Sequence, residues 1–205
     1  MSNSHYFDRT PGAASDRGSV RAELADLELE LMTDAGVFSR GRLDLGTRVL
    51  LREAPDPRTA GPILDLGCGY GPIALTWALR LKDADTRVWA TDVNERALQL
   101  ARDNAAAAGL TNVEVAAPED IPADLRFAAI YSNPPIRVGK AALHELLELW
   151  LGRLLPEGSA FLVVQRNLGA DSLHKWLNES GYPTERLHSA KGYRVLEARP
   201  RGLGL

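Results

Sequence analysis

Five short apolar runs, Ile63 to Leu66, Val88 to Thr91, Val113 to Ala116, Ala128 to Ser132 and Ala160 to Gln165, each end in a polar or glycine-bearing turn. Between them, apolar positions return at helical spacing over residues 72–81, 95–108, 140–155 and 170–180. Strands alternating with helices predict βαβ units and a parallel sheet. The last two runs, Thr184 to Ser189 and Tyr193 to Arg199, are separated only by Ala190-Lys191-Gly192 and read as a hairpin. The expected fold class is therefore α/β, with a seven-stranded, mostly parallel sheet that takes in one antiparallel strand. Pro55-Asp56-Pro57-Arg58 sets off residues 1–55, which hold a strand-like Ser19 to Leu24, a short turn region and a helix from Asp44 to Glu53. That part is expected to form an N-terminal extension packed as a lid on a main domain spanning residues 56–205. No repeat or low-complexity tract interrupts the chain.

The first run leads into Asp65-Leu66-Gly67-Cys68-Gly69-Tyr70-Gly71-Pro72. A strand entering a glycine turn before a helix lets a nucleotide cofactor lie against the backbone, because Gly67, Gly69 and Gly71 carry no β-carbon. A dinucleotide fingerprint needs glycine at the sixth position, and proline stands there instead. The acidic Asp65 suits a cofactor with an ammonium rather than a diphosphate, which points to S-adenosylmethionine. After the second run, Asp92 is placed to accept hydrogen bonds from the two hydroxyls of an adenosine ribose, with Val93 packed near the adenine. Asn94 reads as a helix N-cap. Glu119 or Asp120, after the third run, can accept from the adenine amino group or remain a solvated loop acid.

The fourth run ends in Ser132-Asn133-Pro134-Pro135. Two prolines fix their own φ and restrict the residue before them, so the Asn133 amide and the Pro134 carbonyl are held rigid at the carboxyl edge of the sheet. A side-chain oxygen and a backbone carbonyl suit the two hydrogens of an amino group on a planar system. Accepting both turns the nitrogen lone pair toward a methyl donor.

These motifs resemble class I methyltransferases of the small-domain type, which methylate exocyclic or amide nitrogens. Val37 to Thr47 is similar to the segment preceding their core, and His5-Tyr6-Phe7 with Pro11 and Ser15 resembles the start of the catalytic domain of ribosomal RNA small subunit methyltransferase C. The resemblance implies a Rossmann-like fold and an S-adenosylmethionine-dependent guanine-N2-methyltransferase acting on 16S rRNA or the small ribosomal subunit. Related enzymes on this scaffold modify other nucleobase amino groups or a protein glutamine. A catalytically inactive cofactor-binding, RNA-associated module is the remaining alternative. Asn133, Pro134 and Pro135 become the catalytic turn. Asp65, Gly67, Cys68, Gly69, Gly71, Asp92, Val93, Glu119 and Asn133 hold the cofactor, and Asp44 to Thr47 close its methionine end. The family follows its prolines with an aromatic residue that stacks on the target ring, whereas this chain has Ile136. Phe38 or Tyr6 is then expected to supply the missing face, with Ile136 and Arg137 beside the substrate.

The 205 residues are 45% hydrophobic, enough for one substantial core. A net charge of −3 argues against a strongly basic nucleic-acid coat, yet residues 160–205 hold seven Arg or Lys against four Asp or Glu. Arg137, Lys140, Arg166, Lys191 and Arg194 are candidates to meet phosphates. The single cysteine, Cys68, excludes an internal disulfide and reads as a small packed residue. With no apolar run long enough for a membrane and no signal-like start, a cytoplasmic location is expected. The four histidines, His5, His144, His174 and His188, are scattered, and no metal site is expected.

Overall fold

The computed structural model describes residues 14–39, 41–82 and 85–202. Strands β1 (Gly18–Glu23) and β2 (Glu28–Thr33) form an antiparallel hairpin, followed by α1 (Leu45–Glu53). The central sheet contains β3 (Ile63–Leu66), β4 (Val88–Thr91), β5 (Val113–Ala116), β6 (Phe127–Ser132), β7 (Leu154–Gln165), β8 (Thr184–Ala190) and β9 (Tyr193–Ala198). Its order is β5-β4-β3-β6-β7-β9-β8, and only β9 runs against its neighbours. The connecting helices are α2 (Pro72–Arg80), α3 (Glu95–Ala107), α4 (Lys140–Leu151) and α5 (Ala170–Glu179). The Rossmann-like, mostly parallel arrangement with one antiparallel strand is as the alternation of runs predicts.

Side chains of the central strands alternate between two apolar layers. Ala129, Tyr131, Phe161 and Val163 face α1 to α3, whereas Ile130, Ala160, Leu162 and Val164 face α4 and α5. On the first face Tyr131 stacks between Trp77 and Phe161, with ring centroids 4.4 and 5.1 Å away, which fixes α2 over β6 and β7. Residues 18–53 share this layer: Val20, Ala22, Leu29 and Leu31 are buried in one cluster with Ile73 and Ala101. The Asn104 amide pins the hairpin to the core. It accepts from the Met32 N–H at 2.7 Å and donates to the carbonyls of Met32 and Tyr70, joining β2 to the glycine turn.

Two elements differ from the periodicity. β2 replaces the expected turn region, its Leu29, Leu31 and Thr33 buried and the intervening residues exposed. The helix expected to reach residue 155 stops at Leu151, and β7 starts at Leu154 rather than Ala160. Pro156-Glu157-Gly158 falls inside the strand because its pairing with β6 shifts register between Phe127 and Ala129. A β-carbon on Gly158 would lie 2.9 Å from the Phe127 carbonyl oxygen, so only glycine admits the approach. Among the described residues, no helix is long and apolar enough to cross a membrane.

Candidate methyl-transfer site

From β3 the chain moves outward through β4 and β5, then returns to β6 on the other side of β3. Adjacent strands whose connections leave in opposite directions open a crevice at their carboxyl ends. The glycine turn after β3 and the Asn-Pro-Pro turn after β6 line one cavity there, of about 680 Å³, within the roughly 300–1,000 Å³ of small-molecule sites. The crevice therefore brings together two motifs that lie 68 positions apart when counted from Asp65 to Asn133.

Gly67, Gly69 and Gly71 all have positive φ, which opens the turn, but their surroundings divide their roles. Nothing lies within 4 Å of where a β-carbon on Gly69 would stand, so its backbone faces open cavity. A β-carbon on Gly71 would meet Leu75 at 2.8 Å and Ala101 at 3.3 Å, so that glycine serves the packing of α2 against α3. Cys68 is buried and lines the cavity, and burial pushes its thiol well above the ordinary range. Asp92 shapes the turn directly: one carboxylate oxygen accepts from the Gly69 N–H at 3.0 Å and the other from the Asn94 N–H at 2.9 Å. Burial raises its pKa, with these amide bonds opposing the shift. Asn94 is the N-cap of α3, accepting from the Arg96 and Ala97 N–H groups.

Asp65 sits behind the turn rather than among the residues lining the cavity. It is 1% exposed, with one oxygen accepting from the Ala74 N–H at 2.9 Å and the other lacking a protein partner. Burial raises its pKa to about 8, opposed by the Ala74 bond and reinforced by nearby Asp92. Gly71, Val93 and Glu119 are likewise absent from the cavity wall. Glu119 lies in a single helical turn, Pro118–Asp120, beyond β5.

At the second turn the Asn133 side-chain nitrogen donates to Asp44 at 2.8 Å and to the Thr47 hydroxyl at 3.1 Å. With both hydrogens engaged, the amide cannot flip, and its oxygen is the group left to accept. The same Asp44 oxygen accepts from the Thr47 N–H and caps α1. Pro135, with φ −75° and ψ 76°, forms an inverse γ-turn in which the Pro134 carbonyl accepts from the Ile136 N–H at 2.9 Å. That carbonyl keeps a second lone pair. Ile136 and Arg137 line the cavity, Ile136 packing also on the α4 side, and Phe38 stands at the rim, 64% exposed.

Sequence reasoning missed the far wall, made by Val163 and Gln165 of β7, Leu168, and Tyr193 of β9. The strand ends carried a signal, since β7 lies beside β6 in the sheet, but no motif marks them. His144 stacks on Trp176 at 3.7 Å, and His174 contacts the Thr184 carbonyl. His5, Tyr6, Phe7 and Pro11 lie outside the described residues. Among the described residues no group of three or more metal-ligating side chains clusters.

The open space above Gly69 and the Asp92 carboxylate at the same cavity wall fit the adenosine portion of S-adenosylmethionine, with Asp44 and Thr47 on the side of the Asn133 turn. Comparisons with known proteins bear on the family and the cofactor. The family profile described as Methyltransferase small domain matches residues 28–197. The chain is 34% identical over 198 residues to Bacillus subtilis (strain 168) uncharacterized protein YbxB, covering 95% of this chain and 98% of that protein. It is 34% identical over 180 residues to ribosomal RNA small subunit methyltransferase C of Pseudomonas aeruginosa (strain LESB58), covering 86% of this chain and 52% of that enzyme. Among solved structures, the T. thermophilus 16S rRNA N2 methyltransferase in complex with AdoMet and guanosine matches with a TM-score of 0.77 and 27% identity, over 93% of this chain and 52% of that one. The chain thus spans about half the length of these rRNA methyltransferases and nearly all of the B. subtilis protein. With the glycine turn and the Asn-Pro-Pro turn facing one cavity, the chain belongs to the methyltransferase small domain family and is an S-adenosylmethionine-dependent methyltransferase.

Proposed function

We propose that the protein methylates an exocyclic amino nitrogen of an RNA base, with guanine N2 of 16S rRNA as the target. The observation that carries the reading is the locked Asn133 amide, whose nitrogen is held by Asp44 and Thr47 so that its oxygen is left to accept, with Asn133 and Pro134 both lining the cavity. S-adenosylmethionine, when bound, supplies an electrophilic methyl group. Asn133 Oδ1 and the Pro134 oxygen accept the two amino hydrogens, so the nitrogen lone pair points out of the base plane. As positive charge grows on the nitrogen, both acceptors strengthen; the carbon–nitrogen bond forms as the carbon–sulfur bond breaks, leaving a neutral thioether, and one amino proton passes to water, so no covalent nucleophile is required. Asp92 and the Gly67 to Gly69 backbone hold the cofactor side in place.

The RNA assignment is supported by the named rRNA methyltransferase relatives and by the charge around the mouth. Arg166 follows cavity-lining Gln165, and its N–H donates to the Gly192 carbonyl, which puts Lys191 at the same corner. Arg194, by contrast, is paired with Asp171. Cations gathered at the entrance suit the phosphates that flank a target base, and Phe38 at the rim suits a base face. The domain division at residue 55 belongs to the same proposal: Gly36 to Ser39, from the N-terminal part, form one lip of the entrance.

Tritium-labelled S-adenosylmethionine offered with naked 16S rRNA and with small subunits tests the reading. The expected product is N2-methylguanosine on nucleoside mass analysis. Label appearing only in a glutamine-containing peptide, or in no substrate, overturns it.

A further inference from the structure

Two acceptors recognise an amino group but not the molecule that bears it. Guanine, adenine, cytosine and a glutamine amide all present the same two hydrogens to Asn133 and Pro134. Discrimination needs groups that meet the atoms beside the amino nitrogen, and the far wall of the cavity holds one. Gln165 ends β7, the strand next to β6, where Leu162 stands opposite Ser132. Val163 and Gln165 lie two positions apart on one face of β7, and both line the cavity that contains Asn133 to Ile136. Tyr193, paired with Gln165 across β7 and β9, closes the wall beside it. The Gln165 side chain is exposed to the cavity mouth and has no hydrogen-bond partner among the described residues.

We propose that Gln165 is the specificity-determining residue that selects guanine, an inference resting on the reading of a nucleobase amino group as methyl acceptor. Beside its amino group guanine presents N1–H and then O6, a donor followed by an acceptor. A side-chain amide offers the complement, with Oε1 accepting from N1–H and Nε2 donating to O6. Adenine has only ring acceptors beside its amino group and cytosine has an acceptor and a C–H, so neither completes the pair. A glutamine substrate has no such edge at all. Position 165 thereby converts an amino-group holder into a guanine reader.

The test uses the full chain loaded with S-adenosylhomocysteine and titrated with guanosine and with 2-aminopurine riboside, which keeps the amino group but lacks N1–H and O6. The wild type should prefer guanosine roughly 5- to 100-fold. In Gln165→Leu the ratio should fall to near one through loss of guanosine affinity, with affinity for S-adenosylhomocysteine within a few fold. A preference retained in Gln165→Leu, with the cofactor product still bound, overturns the role of Gln165 and leaves the amino-nitrogen reading intact. A wild type that binds both nucleosides equally also overturns it, whereas one that binds neither overturns both readings together.

Discussion

The Asn133 side-chain nitrogen donates to Asp44 at 2.8 Å, tying the turn after β6 to the N-cap of α1 across 89 positions of sequence. The acceptor proposed for the substrate is thus oriented by a residue from the N-terminal part of the chain. Asn133→Ala should lower the methyl-transfer rate by a factor on the order of 100, with cofactor affinity within a few fold. Asp44→Ala frees the amide to rotate and removes the cap of α1, at about 1 kcal/mol in stability. Asp44→Asn keeps an acceptor and should retain more kcat at saturating cofactor than Asp44→Ala. Equal loss in both variants would show that the Asp44 charge, rather than its hold on Asn133, is what matters.

Asp92→Ala should weaken S-adenosylmethionine binding by about 1.5–3 kcal/mol, measured by calorimetry. Because Asp92 also accepts from the Gly69 and Asn94 N–H groups, the variant should lose protection of those two amides in hydrogen exchange. Unchanged cofactor affinity would remove Asp92 from the site.

The two glycines of the turn should separate stability from binding. Gly69→Ala meets no protein atom and carries only the strain of a positive φ, about 1–2 kcal/mol, yet its methyl group enters the cofactor space. Gly71→Ala drives a methyl group into Leu75 and Ala101, so it should lower Tm more while reducing cofactor affinity less per degree of Tm lost. Thermal melts with and without S-adenosylhomocysteine distinguish the two.

Asp65 predicts a pH dependence of the cofactor-free protein. Its folded pKa, about 8, lies above the unfolded value of roughly 4, so the folded state binds the extra proton between them. The stability it contributes is present below pH about 4 and is lost as pH rises through about 8. Asp65→Asn, which can still accept from the Ala74 N–H, should flatten Tm between pH 5 and about 8.5 and raise it at the alkaline end. A slope unchanged by the substitution would assign it to other groups.

What could be read in the sequence was what local chemistry encodes. Continuous apolar runs gave β3 to β6, and period-3.6 patterns gave α2, α3 and α5, nearly residue by residue, because the central strands β3 and β6 bury both faces and each helix buries one. β7 was shortened because Pro156 and Gly158 carry the ordinary signature of a loop, and only a tertiary register shift places them in a strand. Motif reading found the two turns but not how they are supported. The hold of Asp44 and Thr47 on Asn133 and the packing role of Gly71 both depend on residues brought near by the fold. Gln165 lay beyond reach for the same reason: it has no motif, only a position at the end of a strand.

The crevice divides the labour of the reaction along the chain. In the proposed assignment the Gly67 to Gly69 backbone and Asp92, on the donor side, follow β3 and β4, and the base-reading wall is built from the carboxyl ends of β6 and β7 and the amino end of β9, with the pair Leu66 and Ser132 as the seam between them. A scaffold divided in this way lets new acceptor molecules be recruited by rewriting the carboxyl ends of β6 and β7 and the amino end of β9, without touching the turns after β3 and β4.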